Sequence, residues 1–207
     1  DGIRDLVRSR GLGDVYKRQF LMRPSDYPSV KNILKSIQSW DRVASADSYG
    51  AGSYAVLYSK LRKYYNKLPD PKIFTTSVLN KALIEALEHM EKYFGTTKIK
   101  LGSFQKLVRG DKELPIFGLP DIIASIGTAP YKEGMRKVVS GESYIELVKY
   151  TQEGVEIESI ISYGSSDHPD SKHFNDQMKQ FASQKTKKMT FDREEIYQKA
   201  KAIYNPM

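Results

Sequence analysis

The sequence predicts an α+β fold that is mostly helical and carries a short antiparallel sheet portion. Two observations support this class. Apolar residues recur at helical spacing between residues 28 and 94, whereas the run 155–163 shows a period-two alternation of apolar and polar residues. The 207 residues suffice for one full domain or two small ones. A content of 40% hydrophobic and 11% aromatic residues fits a globular protein.

Two helices are predicted before residue 70. The first spans Pro28–Trp40, where the spacing of apolar residues follows i, i+3, i+4, i+7 at Val30, Ile33, Leu34 and Ile37. The segment 47–52 interrupts the pattern with two glycines, so the second helix is expected to start near Ser53 and to end before Pro69 and Pro71. Its predicted stripe consists of Tyr54, Leu57, Tyr58, Leu61, Tyr64 and Tyr65.

A third helix is predicted over Val78–Phe94. Thr76 or Ser77 can cap its start, and Gly95 can close its end in the left-handed conformation. His89 lies on this helix and is expected to be a surface or hydrogen-bonded residue rather than a ligand. The predicted inward face consists of Leu79, Leu83, Ala86, Leu87, Met90 and Phe94.

An antiparallel hairpin with one buried face is predicted in the second half of the chain. Its strands are Tyr144–Tyr150 and Val155–Tyr163, joined by a turn at 152–154, and residues 138–143 lead into it. One face of the second strand carries Val155, Ile157, Ser159, Ile161 and Tyr163, and the other carries Glu156, Glu158, Ile160 and Ser162.

Several shorter signals complete the prediction. Gly110 and Asp111 indicate a turn, and Pro115 and Pro120 indicate irregular or edge backbone. Small and polar residues after Gly164 predict an ordered loop, followed by a short polar helix that carries Asp176 and Gln177. A capping box of Asp192 and Glu195 predicts a final helix to about Ala202.

The hairpin, the loop and the residues after it resemble the C-terminal end of the penicillin-amidase family of N-terminal-nucleophile hydrolases, in particular its acyl-homoserine-lactone acylase branch. The matching residues are Tyr163, Gly164, Ser165, Ser166, Pro169, His173, Asp176 and Gln177. Further matches are Trp40–Asp41, Asp47–Ala51, Leu101–Gly102, Leu107–Asp111, Leu114–Pro115, Gly118 and Pro120–Asp121. The resemblance runs from roughly Ile33 to Ala182 and is weakest over 120–136.

The resemblance implies a fold and a mechanism. Residues 20–207 would be the C-terminal part of the β chain in an α-β-β-α sandwich. Family members cleave themselves to expose an N-terminal Ser, whose α-amino group acts as base and whose oxyanion hole includes an Asn. Both residues are expected upstream of this chain, so no catalytic residue, cofactor site or metal site is assigned within it. The implied partners are the upstream β-chain segment, the α chain of the same precursor and a small N-acylated amide substrate.

Residues 1–19 are expected not to be native. The run from Arg10 to Gln19 matches, residue by residue, the translation of a transposase-based sequencing adapter. We therefore excluded Asp1–Gln19 from the fold prediction, and we expect the natural chain to begin further upstream.

The remaining residues offer few alternatives for chemistry. The chain has no Cys and three His, so it contains no disulfide or thiolate ligand, and no His pair has helical metal-binding spacing. His168 and His173 lie among Asp167, Asp170 and Asp176, where a metal site or a triad is the minority interpretation. The majority interpretation is that Ser165 and the aspartates satisfy loop backbone groups and that Asp176 anchors the loop.

Two further alternatives concern surfaces. Trp40 and the tyrosine stripe are expected to pack in the core, with a substrate pocket as the minority reading. Lysines are dense from Lys179 to Lys201, but no aromatic stacking pattern accompanies them, so a solvated surface is favoured over a nucleic-acid site. No apolar run reaches the roughly 18 residues that a membrane span requires.

The functional prediction is therefore the structural C-terminal portion of an amidohydrolase that cleaves linear amides of acyl-homoserine lactones, penicillins or lipopeptides. The alternative is a non-catalytic structural or binding module that shares this end of the fold. The resemblance implies a periplasmic or secreted full-length protein. The chain alone is expected to be inactive and to aggregate or remain partly molten, because a hairpin needs neighbouring strands. A monodisperse chain with a sharp cooperative melt would contradict this expectation.

Overall fold

A computed structural model describes residues 30–64, 76–120 and 122–200, and the predicted α+β class is confirmed. The described helices are α1 Val30–Gln38, α2 Tyr49–Leu61, α3 Thr76–Phe94, α4 Leu101–Phe104, α5 Met178–Ala182 and α6 Arg193–Lys199. The described strands are β1 Gln105–Arg109, β2 Lys112–Pro115, β3 Ile126–Pro130, β4 Arg136–Gly141, β5 Tyr144–Thr151, β6 Gly154–Ile161 and β7 Lys187–Met189. None of the helices in these ranges has the length and apolar character to cross a bilayer.

The first helix is confirmed, and the second begins earlier than predicted. All four predicted apolar residues of α1 are buried. Helix α2 starts at Tyr49 rather than near Ser53, because the Ser48 hydroxyl accepts a hydrogen bond from the Ala51 N–H at 3.1 Å. Its glycines do not break the helix; they admit close neighbours. A Cβ on Gly52 would lie 2.2 Å from the Ile99 carbonyl oxygen.

Helix α3 matches its prediction except at its start. It begins at Thr76, so the predicted capping residues Thr76 and Ser77 belong to the helix itself. Gly95 adopts φ +65° and closes the helix as expected. The predicted inward face is buried or partly buried in the core. Predicted features at Pro28, Tyr65, Pro69, Pro71 and Asp121 lie outside the described residues.

A mixed four-stranded sheet, which the sequence did not predict, has the order β2-β1-β4-β3. Strand β1 pairs antiparallel with β2 and parallel with β4. The segment 138–141 was expected to lead into the hairpin but instead forms most of β4 and pairs with β3. The predicted turn at Gly110 and Asp111 is confirmed as the link between β1 and β2, and Pro115 ends the edge strand β2.

The predicted hairpin is confirmed as β5 and β6, extended by β7 to a three-stranded sheet. Thr151 pairs with Gly154, so the turn contains two residues. One-sided burial was predicted for β6, but Ile157 and Ile160 point to opposite faces and are both buried. Ile160 belongs to the common core together with Met178 and Phe181 of α5. The face of β6 that carries Ile160 is therefore covered by α5 near the C-terminal end of the strand.

The last two helices are present but differ from their predictions in detail. Asp176 and Gln177 precede α5 rather than lying within it, because the helix begins at Met178. The Asp192 carboxylate caps α6 by accepting the Glu195 N–H at 2.9 Å. The reciprocal half of the box is not formed, since the Glu195 carboxylate pairs with Lys199. The helix ends at Lys199, and residues beyond 200 lie outside the described range.

Candidate functional site

The segment that carries the resemblance, 163–177, closes into a loop that we call the Tyr163 loop. The Ser166 N–H donates to the His173 carbonyl at 3.1 Å, and the Gln177 N–H donates to the Tyr163 carbonyl at 2.8 Å. Gly164 lies under this closure: a Cβ there would be 2.0 Å from the His173 carbonyl oxygen. Only a residue without a side chain fits between the two limbs of the loop.

The histidines of the Tyr163 loop have structural partners. His173 Nδ1 lies 2.8 Å from an Asp176 carboxylate oxygen, and both side chains are partly exposed. His168 Nε2 lies 3.6 Å from Asp167, and both of these side chains are almost fully exposed. The described residues contain no group of three or more His, Asp or Glu arranged to hold a metal ion. The contact of Asp176 with His173 agrees with the prediction that Asp176 anchors the loop.

Serine hydroxyls satisfy backbone groups inside the loop, as predicted, but different residues do so. Ser166 Oγ accepts from the His168 N–H, and Ser171 Oγ accepts from the His173 N–H, both at 3.2 Å. The prediction named Ser165, Asp167 and Asp170 instead of these two serines. These hydroxyls are therefore acceptors for the chain, which is the arrangement of an ordered turn.

Arg109, at the end of β1, fixes the Tyr163 loop to the first sheet. Its guanidinium carbon lies 4.4 Å from the Phe174 ring centroid and 5.1 Å from that of Tyr163. Nη2 also donates to the Ser166 carbonyl at 3.2 Å. Stacking on two rings combined with a hydrogen bond uses the planar cation in a way that lysine cannot reproduce. Burial raises the pKa of the Tyr163 hydroxyl, and the Arg109 cation opposes this shift.

A second contact fixes the other side of the loop. Lys112, just after the Gly110–Asp111 turn, donates to both the carbonyl and the side-chain oxygen of Asn175 at 3.2 and 3.1 Å. The Phe174 ring also lies against Gly110, 3.1 Å from where a Cβ would stand. The β1–β2 turn and the Tyr163 loop therefore form one unit. Sequence reasoning identified both motifs but missed their contact, because nothing in a single sequence pairs residues more than 50 positions apart.

A cavity of about 200 Å³ lies between the first sheet and the start of the Tyr163 loop. Its walls are mainly apolar, and within it the Ser162 hydroxyl donates to the Glu142 backbone carbonyl. No serine on its walls contacts a histidine or carboxylate side chain in the described part of the chain. The cavity can therefore hold an apolar group but does not present a nucleophile paired with a base. The lining residues include Leu107, Ile126, Val138, Ser162, Tyr163 and Phe181.

The remaining predicted residues occupy structural positions. Trp40 stacks on Tyr54 with ring centroids 5.4 Å apart and donates from Nε1 to the Val43 carbonyl at 2.9 Å, which agrees with the packing interpretation. His89 lies away from the Tyr163 loop and is hydrogen-bonded at both ring nitrogens. The expectation that His89 is a satisfied residue is confirmed.

Comparison with known proteins identifies the family. The sequence profile described as penicillin amidase matches residues 5–198, so the chain belongs to the penicillin amidase family of amidohydrolases. This confirms the resemblance stated from the motifs and places the chain among the N-terminal-nucleophile hydrolases.

Individual relatives carry the name acyl-homoserine lactone acylase PvdQ. The protein from Pseudomonas fluorescens strain Pf0-1 is 24% identical over 191 residues, which cover 81% of this chain and 24% of the relative. The one from Pseudomonas putida is 27% identical over 188 residues with the same coverage. The one from Pseudomonas savastanoi is 28% identical over 123 residues, 58% of this chain and 16% of the relative. The chain thus spans about a quarter or less of these relatives.

Among solved structures, a thermostable penicillin G acylase from Alcaligenes faecalis aligns with a TM-score of 0.43 and 14% identity. The alignment covers 94% of this chain and 45% of that one.

Proposed function

We propose that the chain is the C-terminal structural portion of an amidohydrolase that cleaves a linear amide in an N-acylated substrate. Two observations support the proposal. The family profile matches residues 5–198, and the chain spans about a quarter of the length of the relatives named acyl-homoserine lactone acylase. The substrate class is an acyl-homoserine lactone, a penicillin or a lipopeptide. Partners under this proposal are the upstream β-chain segment and the α chain of the same precursor, in a periplasmic or secreted protein.

The proposed chemistry lies outside this chain. The N-terminal Ser of the β chain attacks the amide carbonyl while its own α-amino group takes the hydroxyl proton. The oxyanion is held by backbone amides and an Asn, the amine leaves with a proton, and water then hydrolyses the acyl-enzyme. The role that the described residues support is that of a scaffold, because Arg109 and Lys112 fix the Tyr163 loop to the first sheet.

The test compares the full-length gene product with the chain 1–207. Each is incubated with a long-chain acyl-homoserine lactone, penicillin G and an acylated peptide, and released amine is measured by chromatography. We expect turnover and self-cleavage for the full-length product only, and neither for a variant whose predicted nucleophile is alanine. Hydrolysis by the chain alone would overturn the proposal. A full-length product that neither cleaves itself nor releases amine would favour the alternative, a non-catalytic module.

We also propose that residues 1–19 are adapter-derived and that the native domain portion begins at residue 20, although the family match extends to residue 5. Sequencing of independently amplified genomic DNA across this region is expected to give different codons for residues 1–19. Recovery of the same codons from the genome would refute the proposal.

A further inference from the structure

The three-stranded sheet β5-β6-β7 has two apolar faces, of which the common core uses one. Successive side chains of a strand alternate between the faces, and residues opposite each other in the register share a face. Ile145 and Ile160 are such a pair and belong to the core together with Phe181 of α5, so they define the inner face. Six apolar residues of the outer face, which we call the Tyr150 stripe, are Tyr144, Val148, Tyr150, Val155, Ile157 and Met189.

The Tyr150 stripe is open to solvent. Five of its six side chains are between 41% and 81% exposed, and Tyr150 is the most exposed of them. Ile157, at the centre, is only 8% exposed because Val148 and Met189 stand opposite it on the two neighbouring strands. The described ranges therefore contain no layer that covers the stripe. A contiguous apolar surface of several hundred Å² is rare on a free monomer and marks a contact surface.

A cleft of about 220 Å³ continues the stripe at its Tyr144 end. Apolar walls of this cleft come from Phe117, Ile123, Ala124 and Tyr144, and the Ile123 side chain is itself exposed. A recess beside a flat apolar surface accepts an anchoring side chain from whatever covers that surface. The stripe and the cleft together therefore have the form of a packing surface.

The size of the stripe favours a cover that belongs to the same polypeptide. An aromatic side chain offers about 150–250 Å² and the smaller side chains offer less, so the exposed parts of the stripe amount to roughly 500 Å². A stable interface between separate proteins takes about 800 Å² from each partner. Association of a second copy also costs translational and rotational freedom, which a segment of the same polypeptide does not lose.

Proteins of this family have enough additional chain to supply such a cover. The chain spans 24% of the length of the relatives from Pseudomonas fluorescens Pf0-1 and Pseudomonas putida. A precursor of comparable length therefore has most of its residues outside the sequence described here.

We propose that the Tyr150 stripe is the surface on which the upstream β-chain segment of the same precursor packs with an apolar face. This inference rests on the proposed function, because that function requires the upstream segment. Val148, Ile157 and Met189 lie at the centre of the contact. At its edge the Tyr144 hydroxyl donates to Glu146 Oε2 at 2.8 Å, so this polar group has its partner before the cover is added.

The test is photo-cross-linking in the full-length gene product. Tyr150→p-benzoylphenylalanine keeps an aromatic side chain, which on irradiation bonds to a group in direct contact, and mass spectrometry identifies the attached peptide. We expect attachment to peptides upstream of residue 20. The matched control is Lys149→p-benzoylphenylalanine, whose neighbouring side chain lies on the opposite face and is 71% exposed. Its yield with upstream peptides should be lower by about tenfold, since only groups within about 4.5 Å are in contact.

Four outcomes would overturn the proposal. They are attachment to residues 20–207 of the same chain, attachment to a second copy in a mixture of unlabelled and isotope-labelled protein, equal yields at positions 149 and 150, and no attachment at position 150. Should the variants fail to fold, hydroxyl-radical labelling of the wild-type product replaces them. Tyr150 should then be labelled about tenfold more slowly than in the urea-unfolded protein, and an equal rate would refute the cover.

Self-cleavage and amine release, measured on the same preparation, separate this inference from the proposed function. A product that cleaves itself and releases amine while position 150 attaches elsewhere refutes the cover and leaves the proposed function intact. A product that attaches to upstream peptides without releasing amine supports the cover and contradicts the proposed function.

Discussion

Replacement of Gly164 by alanine tests whether the Tyr163 loop depends on the close approach of its two limbs. Gly164 does not have a positive φ, so alanine adds a steric cost and not a conformational one. The new Cβ would stand 2.0 Å from the His173 carbonyl oxygen and 2.7 Å from Asp176 Oδ1. An ordinary van der Waals contact begins at 3.4 Å, so the His173 backbone would have to move by about 1.4 Å.

The magnitude follows from what that movement breaks. Overpacking of a closed site costs about 1–3 kcal/mol. The hydrogen bond from the Ser166 N–H to the His173 carbonyl contributes about 1 kcal/mol more. We therefore expect Gly164→Ala to lower the free energy of unfolding by about 2–4 kcal/mol and to lower Tm accordingly.

The assay is thermal unfolding of the full-length gene product, followed by circular dichroism. The control is Gly127→Ala in β3, where the nearest atom to a new Cβ is the Ser140 hydroxyl at 2.2 Å. That hydroxyl can rotate away, so the control should lose less than about 1 kcal/mol. A Gly164→Ala protein that melts at the wild-type temperature would refute the steric argument, as would equal destabilisation by the control.

Three further predictions concern other positions. Gly52→Ala should lower the free energy of urea unfolding by about 2–4 kcal/mol, because its Cβ would meet the Ile99 carbonyl oxygen at 2.2 Å; an unchanged midpoint would contradict this. Gln105→Leu should lower the free energy of unfolding by about 2–3 kcal/mol in the same assay, since the buried Gln105 amide donates to three loop carbonyls. An unchanged free energy of unfolding would contradict this and would mean that water can satisfy those carbonyls. The hydrogen bond from Lys63 lowers the pKa of Glu85 in the folded protein. The ionised Glu85 therefore stabilises the fold above its unfolded pKa of about 4.3, and this stabilisation is lost as the pH falls through its folded pKa. When the free energy of unfolding is measured against pH, Glu85→Gln should reduce the acid loss of stability by at most about 1 kcal/mol, because the pair is partly exposed. An unchanged acid loss would contradict the role given to Glu85.

Periodic elements could be predicted from the sequence, and this part of the fold was confirmed. Helix α1 and helix α3 each bury one clear face, and the β5–β6 hairpin has two long runs of strand formers around a short turn, so these patterns alone identify them. The four-stranded sheet escaped prediction because its strands have four to six residues and mixed burial, which leaves too few positions for an alternation to appear.

Missed features depend on contacts between distant residues. The glycines of α2 suggested a break, whereas Gly50 and Gly52 lie in the helix because Trp40 and the Ile99 carbonyl come close to them. The contact of Arg109 with Phe174 joins two motifs that the sequence separates by a sheet and a hairpin. Local patterns carry no information on such partners, so motif recognition located the residues without explaining why they are needed.

The parallel pairing of β1 with β4 has a consequence for the order of folding. The β1–β2 and β5–β6 hairpins close over two residues each, and hairpins of this kind form in about 1–10 μs. Strand β4 can join β1 only after the intervening chain from 110 to 135 has been arranged, which requires a larger loss of chain entropy. The local hairpins are thus expected to form first, and the rate of folding is expected to depend on the docking of β4.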